Sequence, residues 1–173
     1  MKNILVPTDF SVQSLQLVHE IIKRNPQQKL SIYLVHLVQI PTDIADLLFA
    51  RKRHLYEQVP GKFSQAVEML KNKYASRINL MGLEFYYGNT PTVVNAIIEN
   101  RNIDEVYVFA DHLYNMPLKQ SVDMTNLLNK CKVPVVQVQP KVRTNAPAEA
   151  HFFSSLFTEE QPAPQSGKLF QHA

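Results

Sequence analysis

Between residues 4 and 138, apolar runs of strand length alternate with stretches of helical period, the pattern of a parallel sheet whose strands are joined by crossover helices. Ile4-Leu5-Val6 reads as the first strand. After the turn Pro7-Thr8-Asp9-Phe10, Ser11 is placed to cap a helix whose apolar face runs Leu15, Val18, Ile21 and Ile22 and which Asn25-Pro26 ends. Leu30 to Val38 is the second strand. Thr42-Asp43 can start a helix through Leu47, Leu48 and Leu55, read as a flap over the sheet edge, and Pro60-Gly61 breaks it. Phe63, Ala66, Val67, Leu70 and Tyr74 form the apolar face of the next helix, about Lys62 to Ser76, which is the better crossover. The third strand is Asn79 to Tyr86. Gly88-Asn89 then turns the chain into Thr90-Pro91, an N-cap followed by proline at the first helical position, before a face of Val93, Val94, Ile97 and Ile98. The fourth strand is Glu105 to Ala110. A last helix, about Leu118 to Lys130, leads to the fifth strand, Val135 to Val138.

From Pro140 onward this alternation stops, so the pattern divides the chain into a domain of residues 1–139 and an extension of residues 140–173. The extension is too short for a core of its own and is read as partly disordered or as a short amphipathic helix. Its Phe152, Phe153, Leu156 and Phe157 would form one apolar stripe on a helix. That stripe suits docking on the chain's own sheet, on a second subunit or on an unidentified protein partner, and residues 140–173 are expected to be removable without unfolding the domain.

Composition narrows the function classes. A chain of 173 residues, 45% hydrophobic and 19% charged, has the make-up of a soluble globular protein with one core, and no apolar run approaches the ~18 residues that cross a bilayer. The opening strand is too short for a signal peptide, so a cytoplasmic location is expected. The single Cys131 agrees with a reducing compartment and reads as a buried helical thiol. A net charge of +3 leaves no broad basic surface, and Arg51-Lys52-Arg53-His54 reads as a solvated helix face, so neither nucleic acid nor membrane is an expected partner. No Ser-His-Asp order, HExxH or CxxC pattern occurs, and no metal site is expected.

The opening Lys2-Asn3-Ile4-Leu5-Val6-Pro7-Thr8-Asp9-Phe10-Ser11 and the ending Val133-Pro134-Val135-Val136-Gln137-Val138 resemble the universal stress protein family, as do Leu34-Val35-His36-Leu37-Val38, Gly88-Asn89-Thr90-Pro91 and Ile103-Asp104-Glu105-Val106-Tyr107-Val108 between them. The resemblance covers about residues 1 to 139. It implies an α/β fold with a doubly wound, five-stranded parallel sheet of order 3-2-1-4-5, of the adenine nucleotide alpha hydrolase-like kind. It also implies a homodimer through the last strand, with Val135, Val136 and Val138 at the interface.

ATP-binding members of that family carry Gly-x-x-Gly, nine residues, then Gly-Ser or Gly-Thr after the fourth strand, so that backbone N–H groups can approach phosphate oxygens. The matching stretch here, Ala110 to Asp123, contains no glycine. Asp111 and Asp123 repel phosphates and Pro117 lacks a donor. No ATP and no other cofactor is therefore expected.

Open parallel sheets bind ligands beyond the C-terminal ends of their strands, where strand order reverses. For the implied order this brings together Thr8, Asp9, Val38, Ala110, Asp111 and His112 as possible ligand-binding residues. Asp9 and Val38 match family positions that hold a nucleoside, but Asp9 also reads as a helix cap or turn brace, and His36 as a packed, hydrogen-bonded histidine. The leading expectation is a non-catalytic stress-response or regulatory module. The alternative is a small-ligand or nucleoside sensor using the pocket beside Asp9, and an ATP-binding member comes third.

Overall fold

The first strand and the strands that follow it are β1 (Lys2–Pro7), β2 (Leu30–Val38), β3 (Ile78–Tyr87), β4 (Glu105–Phe109), β5 (Ser121–Val122) and β6 (Val135–Val138). They belong to a computed structural model that describes residues 1–43, 52–111 and 113–139. The sheet runs β3-β2-β1-β4-β6 with every pair along this path parallel, which is the expected order 3-2-1-4-5 once the short β5 is set aside. β5 pairs antiparallel with the last residues of β2.

Four α-helices are described: α1 (Gln16–Arg24), α2 (Lys52–Glu57), α3 (Gly61–Lys73) and α4 (Pro91–Asn100). Because strand side chains alternate between faces, Ile4, Val6, Ile32, Leu34, Tyr107 and Phe109 feed a core with α1 and α3. Leu5, Val35, Leu37, Val106 and Val108 feed another with α4 on the opposite face. Helices thus cover both faces. The central strands read as near-continuous apolar runs because both their faces are buried.

Most local signals act where they were expected. Ser11 does not cap α1: its Oγ accepts from the Ser14 amide at 3.1 Å, just ahead of the 3₁₀ turn Gln13–Leu15, and the residues at the N-caps of that turn and of α1 are Val12 and Leu15, neither with a side-chain cap. Asn25 closes α1, its side-chain amide donating to the Ile21 carbonyl at 2.8 Å. Thr90 caps α4 with Pro91 at its first position. Gly88 has φ +134°, and a Cβ there would stand 2.6 Å from Val93 Cγ2, so only glycine fits this turn. The flap reading holds for α2, where the Tyr56 hydroxyl donates to the Leu83 carbonyl at 3.1 Å and its ring meets Phe85 edge-on along the edge strand β3. The first part of that helix, and the expectations for residues 140–173, lie outside the described residues. Arg53 and His54 bond the exposed Glu57, consistent with a solvated face.

One element differs. In place of a helix over Leu118 to Lys130 the chain forms β5 and then a 3₁₀ segment, Met124–Lys130. Asp123 is the cause: its carboxylate accepts from the Thr125 amide at 2.9 Å and from the Asn126 side chain, a local turn that starts the helical path only after Val122. Cys131 follows this segment in extended backbone, half-buried rather than buried within a helix, and burial raises its pKa.

Candidate functional site

The turn after β1 is shaped by Phe10, which adopts φ +59°. That left-handed bend, costly for a bulky residue, turns the Phe10 ring back into the core, 4.4 Å from the His36 ring and 5.7 Å from those of Phe63 and Phe85. Thr8 and Asp9 are thereby presented at the switch point between β1 and β4. Thr8 Oγ1 accepts from the Phe10 amide at 3.2 Å and shares a hydrogen bond with Ser14 Oγ.

Asp9 is only 3% exposed, and its carboxylate is satisfied from two directions. One oxygen accepts from the Ser11 amide at 3.0 Å and the Ser11 hydroxyl at 2.5 Å. The other accepts from the amide and the side chain of Asn115, at 3.0 and 3.1 Å. Asp9 therefore braces its turn and also clasps the loop that follows β4.

That loop, residues 113–122, runs back across the C-terminal ends of β1 and β2 as a strap. The Tyr114 hydroxyl donates to the Thr8 carbonyl at 2.6 Å, and its ring stacks on His36. The Gln39 amide donates to the Gln120 carbonyl at 2.8 Å, so the β5–β2 ladder continues past Val38. The Leu118 amide donates to Ser121 Oγ and the Ser121 amide to the Leu118 carbonyl, both at 3.0 Å, which closes the strap's own turn from Leu118 to Ser121. β5 lies on the side of β2 that β1 vacates after Pro7, since β3 pairs with β2 on the other side as far as Val38. The crevice where an open α/β sheet takes its ligand is occupied by the protein's own chain.

His36 sits at the centre of this packing with no exposed surface. Its Nδ1 lies 2.7 Å from the Thr8 carbonyl oxygen, which can only accept, so Nδ1 carries the proton and Nε2 accepts from the Ser121 hydroxyl at 3.0 Å. Burial lowers the His36 pKa, against the opposing bond to Thr8 and the charge of Asp9, and keeps the ring neutral. Burial likewise raises the pKa of Tyr114, with Asp9 and Asp123 adding to it.

Of the expected site residues, Thr8, Asp9 and Val38 meet at this point. The Val38 carbonyl oxygen already accepts from the Gly88 amide at 2.8 Å. The Ala110 amide donates away from the crevice, to the Val138 carbonyl. Asp111 is exposed, and His112 lies outside the described residues. His36, Tyr114, Asn115 and Ser121 were not singled out for the site, although a glycine-free loop rich in polar side chains was the available signal. Among the described residues no group of three or more His, Cys, Asp or Glu side chains could hold a metal ion, and no helix is long and apolar enough to cross a membrane.

No family model matches the chain, and no curated protein matches it significantly. Solved structures do. The protein is similar to the hypothetical protein MJ0577, at 19% identity and a TM-score of 0.55, over 84% of this chain and 98% of the other. It is also similar to the universal stress protein UspA from Lactobacillus plantarum, at 18% identity and a TM-score of 0.52, over 80% of this chain and 97% of that one. The chain has the universal stress protein fold. A third solved structure, the hypothetical protein PH0823, is similar at 21% identity and a TM-score of 0.52, over 82% and 99% of the two chains. At the level of the universal stress protein fold, the resemblance carried by the opening and closing segments holds.

Proposed function

We propose that this protein is a non-catalytic regulatory module of the universal stress protein family that acts through protein contacts, as a homodimer, and holds no ATP or other cofactor. The observation that supports this most directly is the strap: Asn115 takes the carboxylate of Asp9 and Tyr114 takes the carbonyl of Thr8, so the chain itself satisfies the polar groups a nucleoside would meet. Phosphates are no better served, since Ala110 to Asp123 offers no glycine and carries two carboxylates. A triphosphate must exchange its hydration for backbone N–H groups, cations or a metal, and micromolar affinity requires about 8 kcal/mol of net binding energy.

Titration calorimetry with Mg-ATP and with adenosine tests the reading. Neither is expected to bind in the micromolar range, and no ATP hydrolysis above background is expected. Micromolar ATP binding that Asp9→Ala weakens would overturn it and restore the nucleotide-binding class. Adenosine binding without ATP binding would replace it with the small-ligand sensor.

A further inference from the structure

His36 is the middle link of a chain of hydrogen bonds that fastens the strap to β2. The Leu118 amide donates to Ser121 Oγ, the Ser121 hydroxyl donates to His36 Nε2, and His36 Nδ1 donates to the Thr8 carbonyl oxygen, at 3.0, 3.0 and 2.7 Å. The Tyr114 hydroxyl shares that carbonyl. This chain works in one protonation state only, because Nε2 must keep a bare lone pair to accept.

The surroundings of the ring are not arranged for a cation. His36 and Ser121 are 0% and 3% exposed. Among the described residues Ser121 Oγ bonds only Leu118 and His36, so a proton on Nε2 would face the Ser121 hydroxyl and leave the hydroxyl's own hydrogen with no acceptor. The turn after β1 brings Asp9 toward the ring, its carboxylate oxygens bonded to Ser11 and Asn115. The strap brings Tyr114, whose hydroxyl lies 3.1 Å from Nδ1, and Asp123, just beyond β5, acts on Tyr114. Phe10 and, from β3, Phe85 add uncharged rings. Asp9 favours a charged imidazole, but burial outweighs it and holds the His36 pKa below 6.5.

We propose that His36 is an acid-sensitive pin: a proton taken up at Nε2 releases Ser121 and frees the strap from the ends of β1 and β2, uncovering the Thr8 carbonyl and the Asp9 carboxylate. An opened strap hydrates the ring, which then regains its ordinary pKa of about 6.5. Closure is therefore fully favoured above that value and weakens as pH falls from it toward the lowered pKa of the closed form, by at most about tenfold per pH unit. Opening depends on His36 and the strap alone, whether or not the uncovered crevice then takes a ligand.

Hydrogen exchange of the full chain, read by NMR and corrected for the intrinsic pH dependence of exchange, tests the pin. Between about pH 7.5 and about pH 5.5 the amides of Leu118, Ser121 and Gln39 should lose at least about threefold in protection, while those of Leu5 and Val6 in β1 keep theirs. In His36→Gln, which keeps a donor and an acceptor but does not titrate, the loss should vanish. Strap protection that ignores pH, an equal loss at Leu5 and Val6, or a loss that persists in His36→Gln would overturn the pin. Should that variant fail to fold, the ring of the parent decides: its nitrogen shifts should show the Nδ1–H tautomer at neutral pH and a midpoint below 6.5, and a ring that titrates at or above its ordinary value of about 6.5 would equally overturn the pin.

Discussion

At the residue scale, Asp9 shows how a carboxylate can be conformational rather than receptive. A buried charge is tolerated only when its oxygens are hydrogen-bonded, and here Ser11 supplies one side and Asn115, 106 residues later, the other. Asp9→Ala would strand the Ser11 and Asn115 amides, and we expect a loss of about 2–3 kcal/mol of stability in urea titrations of the unliganded protein. Asn115→Ala leaves its backbone donor in place and should cost only about 1 kcal/mol. The double variant should lose less than the sum of the two, because they share one contact. A carboxylate kept for an absent ligand would behave differently, and an Asp9→Ala chain as stable as the parent would refute the bracing role. The sequence marks Asp9 for both a brace and a ligand contact. Only the fold shows that Asn115 reaches it, since no periodicity in a ten-residue polar loop says where its side chains point.

At the element scale, short-range chemistry decided most outcomes. Thr90 and Pro91 start α4, Asn25 ends α1, and Gly88 makes the turn between β3 and α4. The last is sharp enough to test: Gly88→Ala forces both an unfavourable φ and a Cβ within 2.6 Å of Val93. We expect it to destabilise the domain by about 2–4 kcal/mol, read from the denaturation midpoint. A loss under about 0.5 kcal/mol would mean that the turn relaxes freely. The segment from Leu118 to Lys130 went the other way. Its apolar residues suit a helix, but Asp123 offers a local alternative to helical hydrogen bonds, and Ser121-Val122 find a free stretch of β2 to pair with. Tertiary pairing overrode a weak local preference, as it does for any segment that fits two partners.

At the scale of the whole molecule, the sheet formed by the described residues ends at β3 on one side and β6 on the other. α2 lies along β3, whereas β6 presents Val135 and Val136 half-buried and Gln137 exposed at the opposite margin. An uncovered strand edge tends to pair with another chain, and two-fold pairing of identical edges closes on itself. Light scattering of the full chain at micromolar concentration should therefore give the mass of a dimer, and Val136→Asp should shift it toward monomer while circular dichroism stays that of the folded parent. A monomeric parent would refute assembly through this edge.

The alternation of strands and helices as far as β4 was legible in the amino-acid sequence, because burial on both faces of a parallel sheet writes continuous apolar runs and caps write short polar signatures; the strand order followed from the family resemblance, and of the residues expected at the switch point Thr8, Asp9 and Val38 lie there. The missing glycines after β4 were equally plain. What occupies the crevice was not. The Tyr114–Thr8, Asn115–Asp9 and Ser121–His36 contacts join residues 106, 106 and 85 positions apart, and each forms only once β1, β2 and β4 lie side by side. A loop's local sequence sets which groups it can offer; the neighbours assembled around it decide where those groups are satisfied, and here they draw the strap into the place where the fold would otherwise leave room for a ligand.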